Sequence, residues 1–298
     1  WQNKNGDNAG SCHYISASPG IRGASYRGIH LTSQLSKIAE RYIKLLFEPF
    51  FIERMSYGEH QFAYLPERGA RDALALLVMT WLLAMARGAR VIVYCADVAG
   101  AFDRVDKHRL LAKLRALGLH ANLLKLVSSW LDKREARVIV GGEQSDIFEL
   151  FNMLFQGTVL GPSLWNAFYA DVEAASKEAG FVEIKFADDL NSYKLEEDST
   201  RPTQELLDHA AGCQSSVHRW GRANGVEFEG TKESFHVLSR LNPHGNTIEL
   251  LGLLFDTKLL MKEEVSGLAA EASCKLASVT RTSRLFTDWQ TVLLYKSQ

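Results

Sequence analysis

The chain has 298 residues, 46% hydrophobic and 23% charged, with a formal net charge of −1. That balance excludes a disordered or fibrous polymer and supports one large or two ordinary domains with a proper core. The longest apolar run, ALALLVMTWLLAMA at 73–86, is 14 residues long and flanked by Arg71, Asp72 and Arg87, too short to span a bilayer, and reads as a buried helix.

The chain begins with Trp1, has no signal-peptide pattern and ends at Gln298 within a helix-like run, so it reads as part of something longer. The Gly, Asn and Ser-rich opening, residues 3–25, predicts a poorly ordered arm. Ser33 can cap a helix running through Leu35, Ile38, Tyr42 and Leu46 to Pro49, and Gly69–Arg87 forms the next. VIVYCAD at 91–97 is β-rich, almost wholly apolar and ends on an acid, like a strand buried on both faces. A helix capped by Asp106 and stopped at Gly118 follows, then one from Asn122 to Leu131, then a hairpin turning at Gly141-Gly142. Pro162 suits the first turn of a helix that stops at Gly180, and VEIKFADDLNSY at 182–193 reads as a hairpin. A helix from Pro202 to about Ala223, strands near 226–229, 234–239 and 247–255, and a last helix starting near Glu263 complete a mixed α+β order.

The cysteines at 12, 95, 213 and 274 show no CxxC spacing, so no disulfide framework or zinc module is indicated and reduced, intracellular chemistry is the default. His209 and Cys213 could share a helix face but lack a second pair of ligands. The neutral total hides two opposed regions. Between 104 and 137 nine lysines or arginines stand against three acids, and between 171 and 200 nine acids stand against three lysines. The basic tract is either a solvated helix face or a surface for phosphates.

Asp188 and Asp189 raise the sharper question. An Asp pair is an ordinary turn former. Two carboxylates held ~4 Å apart nevertheless repel by roughly 4 kcal/mol at a surface-like dielectric, which a divalent cation removes. Asp97, at the C-terminal end of the buried strand, is placed to be the third carboxylate. Such a cage holds two ions about 3.5–4 Å apart for phosphoryl transfer, and oxygen-only ligation favours Mg²⁺ or Mn²⁺.

DVAGAFDRV (97–105), FQGTVLGPSLWNAF (155–168), FADD (186–189) and LLGLLF (250–255) stand in the order and rough spacing of reverse transcriptase palm motifs. They look most like the non-LTR, LINE-type retrotransposon group. YRGIHLTSQLSKIAERYI (26–43) and HQFAYLPERGARDAL (60–74) resemble that family's fingers motifs, so the resemblance covers about residues 26–260. It implies a right-hand polymerase fold: an arm at 1–25, fingers at 26–90 and 106–155, a palm with a small antiparallel sheet at 91–105 and 156–261, and the start of a thumb at 262–298. It also implies template-dependent DNA synthesis, with an RNA template, a DNA primer and dNTPs as partners, and an intracellular, nuclear setting.

Carried over residue by residue, the resemblance implies that Asp97 and Asp188 bind the metals, Asp189 completes the acidic cluster and the Val98 carbonyl is a further ligand. Phe102 falls where the family places an aromatic gate under the incoming sugar, with an ordinary core Phe as the alternative. Gln156 and Gly157 match the motif that meets nucleotide and template. Lys232 is either the proton donor to the leaving pyrophosphate or an exposed lysine. Arg27, Arg68 and Arg71 are the fingers candidates for gripping phosphate, a task suited to the guanidinium fork. Leu251-Gly252 resembles the primer-gripping hairpin or, equally, core packing. Gly28, Phe155 and Glu229 depart from residues the family usually carries, without removing a metal ligand. Two rivals stay open, an inactive retroelement-derived nucleic-acid-binding domain and an RNA-dependent RNA polymerase, although FADD and Phe102 favour deoxynucleotides.

Overall fold

The computed structural model describes residues 15–16, 27–28, 31–132, 134–140, 143–151 and 154–296. Most of the opening arm with Cys12, the Arg27 side chain and the turn at 141–142 lie outside the described residues. Ile15–Ser16 (β1) pairs with Arg27–Gly28 (β2). Helix α1, Gln34–Glu53, starts where the Ser33 side chain accepts the Ser36 N–H, and it runs one turn past Pro49, the end expected from sequence. Helix α2 is Ala70–Ala86, strand β3 Arg90–Ala96, helix α3 Lys107–Ala116 with Asp106 as its cap, and α4 Ala121–Leu131.

Two short ribbons follow: β4 (Arg134–Ala136) pairs with β7 (Phe148–Leu150), and β5 (Ile139–Val140) with β6 (Glu143–Gln144). The single helix expected from Pro162 to Gly180 is instead two, α5 (Gly161–Tyr169) and α6 (Val172–Glu178). The break has a tertiary cause. The Phe168 carbonyl accepts from Lys113 Nζ at 2.7 Å and that of Ala170 from Lys185 Nζ at 3.2 Å, which draws acceptors at the end of α5 toward lysines. Beyond it lie β8 (Val182–Phe186), β9 (Asp189–Glu196), α7 (Thr203–Asn224), β10 (Ser234–Leu238), β11 (Ile248–Leu250), β12 (Leu253–Phe255), α8 (Lys262–Thr282) and α9 (Asp288–Lys296). The strand expected at 226–229 reduces to one bridge, Val98 with Phe228.

The central sheet is antiparallel with order β10-β3-β9-β8. All of β3 is buried. Ile92, Tyr94 and Ala96 enter one core cluster with residues of α1 and α3–α7, while Val91, Val93 and Cys95 enter a second with α2 and the β11–β12 hairpin. This explains why the strand shows no polar alternation: each face meets a core. Helix α2, expected to be a buried helix, seats Ala73, Leu77, Trp81, Ala84 and Met85 but leaves Leu76, Met79 and Leu83 exposed, because it covers the sheet on one side only. Among the described residues no helix is long and apolar enough to cross a membrane.

Candidate active site

The β3–β9 ladder ends at Ala96–Leu190, so Asp97 comes next to Asp189, one step past the last pair. The β8–β9 ladder closes at Phe186–Asp189, which leaves Ala187 and Asp188 as a two-residue turn. Asp189 is therefore the first residue of β9 and only Asp188 sits in the turn. Three carboxylates from two segments gather at one end of the sheet. Their proximity is felt: burial, then Asp188 and Asp97, push the Asp189 carboxyl up to about 6, against the pull of Lys232.

Asp97 is held from two sides. Its carbonyl accepts from the Glu229 N–H at 2.8 Å, and its Oδ2 receives the Lys232 ammonium. That hydrogen bond raises the Lys232 pKa above the ordinary lysine value. The Val98–Phe228 bridge is made by the groups flanking Val98, namely Ala99 N–H to Glu227 O and Glu229 N–H to Asp97 O, so it does not engage the Val98 carbonyl. Among the described residues no three acidic, imidazole or thiol side chains are close enough to hold an ion as they stand. The donors that converge are nevertheless all oxygens, and Lys232 already supplies a positive charge there, which is the chemistry a hard divalent cation would meet.

Beneath the acids lies an aromatic stack. Phe102 is half-buried, with its ring 5.9 Å from that of Trp165 and nearly parallel; Trp165 in turn stacks on Tyr169 at 5.0 Å. Phe102 thus packs on α5 through Trp165 and against the first core cluster, which is the core reading of this residue. The Tyr169 hydroxyl is 3.5 Å from the Asp188 carbonyl, and burial, then the three aspartates, raise its pKa well above the ordinary tyrosine value.

Gln156 and Gly157 form a turn before α5, and Gly157 has φ 96°, which favours glycine. Glu40 of α1, only 1% exposed, pins the end of this loop by accepting the N–H groups of Val159 at 2.6 Å and Leu160 at 3.1 Å. Arg68 donates to the carbonyls of Glu59 at 2.6 Å and Gln61 at 3.1 Å and lies over the Phe62 ring, so part of its fork holds its own loop. Arg71 is exposed in the first turn of α2. Leu251 and Gly252 form the β11–β12 turn, with Leu251 packed against the second core cluster.

The basic tract is partly spent on the protein. Arg104 pairs with Glu227, Lys107 with Asp132 and Lys113 with Asp171, while Arg134 donates to the Trp130 carbonyl and lies over Trp130 and Phe155. Arg115 and Lys125 remain exposed. His209 and Cys213 lie on α7, where Cys213 is buried.

Sequence reasoning passed over Glu40, Gln61, Trp165, Tyr169 and Glu233. Glu233 accepts from the Gln214 amide and lies 2.7 Å from His218 Nε2, both on α7, which anchors the segment that presents Lys232. The signal for Gln61 and Trp165 was their place inside HQFAYLPERG and LWNAF; nothing local marked Glu40 or Glu233.

The architecture is shared with solved structures. Apo telomerase from Candida tropicalis, truncated from its C-terminal domain, aligns with a TM-score of 0.58 at 12% identity, over 84% of this chain and 54% of that one. Telomerase from Candida albicans in complex with a fragment of telomeric RNA gives 0.58 at 14%, over 85% and 45%. At such identity the likeness establishes the right-hand polymerase fold alone. Among curated proteins, the RNA-directed DNA polymerase from mobile element jockey of Drosophila melanogaster is 25% identical over 270 residues, 86% of this chain and 29% of its own length. The probable RNA-directed DNA polymerase from transposon BS of the same species is 30% identical over 242 residues, 78% of this chain and 26% of its own. The chain thus spans under a third of the length of these relatives. The family model for reverse transcriptase (RNA-dependent DNA polymerase) matches residues 19–255, and with the three aspartates at the end of the β3–β9 ladder the chain belongs to that family.

Proposed function

We propose that the chain extends a DNA primer on an RNA template by adding deoxynucleotides, as part of copying a mobile element of the kind its relatives are named for. The observation that carries this reading is the register that sets Asp97 beside Asp189 with Asp188 in the adjoining turn. Asp97, Asp188, Asp189 and the Val98 carbonyl would hold two Mg²⁺ or Mn²⁺ ions. Bound there, such ions supply charge to the attacking 3′ oxygen and to the leaving pyrophosphate.

The rest falls to the protein's own groups. Phe102, backed by Trp165, stands as the wall against a 2′-hydroxyl. The turn at Gln156-Gly157 admits nucleotide and template, with Glu40 fixing its far end. Lys232, whose ammonium hydrogen-bonds Asp97 Oδ2 at the acidic end of the sheet, would be the proton donor to pyrophosphate. Arg27, Arg68 and Arg71 serve the triphosphate or the template backbone, in fingers at 26–90 and 106–155 facing a palm at 91–105 and 156–261, with a thumb beginning at 262.

The test is primer extension on an RNA template with dNTPs or rNTPs and Mg²⁺ or Mn²⁺, comparing the wild type with Asp188→Asn. Extension with dNTPs by the wild type and none by the variant is expected. Equal extension by both would sink the metal assignment, preference for rNTPs would make the protein an RNA polymerase, and nucleic-acid binding without any extension would leave an inactive binding domain.

A further inference from the structure

The turn that carries Asp188 contains a strained residue. Ala187 has φ 57°, in the left-handed region that disfavours a Cβ, and its side chain is buried. Type-specific hairpin turns usually place Gly, Asn or Asp at such positions. Something outside the turn must hold this one.

Two side chains do so. The Ala187 N–H donates to Gln61 Oε1 at 3.2 Å, across 126 positions of sequence, and the Ala187 carbonyl accepts from Trp165 Nε1 at 3.0 Å. Both backbone polar groups of the strained residue are thus taken by fully buried side chains. Gln61 is itself fixed. Its Oε1 also accepts the N–H groups of Phe62 and Ala63, each at 3.0 Å, its own carbonyl receives Arg68, and a parallel bridge joins Gln61 to Lys185 of β8. Asn166, next to Trp165, donates to the Ala63 carbonyl at 2.9 Å, tying α5 to the same loop.

The amide orientation is dictated by these contacts, since three N–H donors converge on one atom and the flipped amide would set donor against donor. The cost is visible: Gln61 Nε2 is buried with no partner among the described residues. A buried group with one unsatisfied donor is kept where its other end has a task. An amide oxygen suits this task better than a carboxylate would, because it accepts without adding a negative charge beside three aspartates.

We propose that Gln61, with Trp165, is a positioning residue for metal binding: it clamps Ala187 in its left-handed conformation and so aims the Asp188 and Asp189 carboxylates at Asp97. The inference rests on the reading of those aspartates as the metal site. Without the clamp Ala187 relaxes toward ordinary backbone, Asp188 swings away and an ion must first pull the turn back.

The experiment compares wild type, Gln61→Leu, Trp165→Phe, Ala187→Gly, Asp188→Asn and the Gln61→Leu/Ala187→Gly double variant. Mn²⁺ binding is followed by the electron paramagnetic resonance of free Mn²⁺ without substrates, and the Mg²⁺ midpoint of primer extension is measured in parallel. Folding is checked by circular dichroism. Gln61→Leu and Trp165→Phe should each weaken Mn²⁺ binding and raise the Mg²⁺ midpoint at least about fivefold. Glycine adopts positive φ without strain, so Ala187→Gly should return the Gln61→Leu background to within about twofold of wild type, a rescue that a general packing defect would not show. If Gln61→Leu does not fold, Trp165→Phe, which keeps an aromatic side chain but removes the indole N–H, carries the same expectation. Folded variants with wild-type Mn²⁺ affinity and Mg²⁺ midpoint would overturn the clamp while leaving the metal site intact. A wild type whose Mn²⁺ binding is the same as that of Asp188→Asn would overturn the metal site and this inference with it.

Discussion

The acidic end of the sheet should trade stability for function, and Asp189→Asn measures the trade. Burial and two neighbouring aspartates hold the Asp189 carboxyl at about 6 against an ordinary value of 3.8. The protonated form is therefore favoured by folding. That stability is fully present below the unfolded value and is lost as pH rises to the folded one, so above pH 6 the charged carboxylate is a burden on the metal-free protein. About two pKa units correspond to at most about 3 kcal/mol; because the group is partly solvated, screening reduces this to about 1–2 kcal/mol. Asparagine has the same shape without the charge. In urea denaturation with EDTA, the variant should be more stable than wild type by about 1–2 kcal/mol at pH 7.5, the difference should vanish toward pH 4, and primer extension should be lost. A variant equal to or less stable than wild type at pH 7.5 would refute the claim that the carboxylates repel one another at this site.

Phe102→Val should keep DNA synthesis while raising ribonucleotide incorporation at least about tenfold, or about 1.4 kcal/mol of lost discrimination; unchanged discrimination in a folded variant, measured with competing dNTP and rNTP, would place the gate elsewhere. Glu40→Ala leaves the N–H groups of Val159 and Leu160 without their acceptor and should cost about 1–3 kcal/mol in urea denaturation, the cost of one buried orphan at Leu160, since the Val159 group is only partly buried; a loss below about 0.5 kcal/mol would mean that water replaces the carboxylate. Arg134 is engaged with Trp130 and Phe155, so the basic tract is better tested at Arg115 and Lys125: changing both to Ala should weaken binding to all RNA sequences alike and make the log-log salt slope shallower by up to about 2. An unchanged slope would return the tract to a solvated surface.

Much of this protein is written locally. Ser33, Asp106 and Pro162 begin helices where capping and proline geometry say they should, because those signals act within one turn of the chain. The unbroken apolar run of β3 announced burial on both faces, and the motifs around Asp97, Gln156 and Asp188 announced the family before any contact was known. What local pattern cannot carry is which distant groups meet. That Asp97 lies beside Asp189 follows from the register of a ladder between segments about ninety residues apart. That α5 stops at Tyr169 depends on lysines arriving from α3 and β8, which override a continuous helical signal by taking its carbonyls. Glu40 looks like any polar residue of an amphipathic helix until the loop at 159–160 supplies two N–H donors to its carboxylate, and Gln61 looks like a loop residue until the Ala187 turn is folded against it. The family was legible in residue types and their order; how its distant segments are set against one another is decided by hydrogen bonds between buried groups, whose partners exist only once the chain has packed.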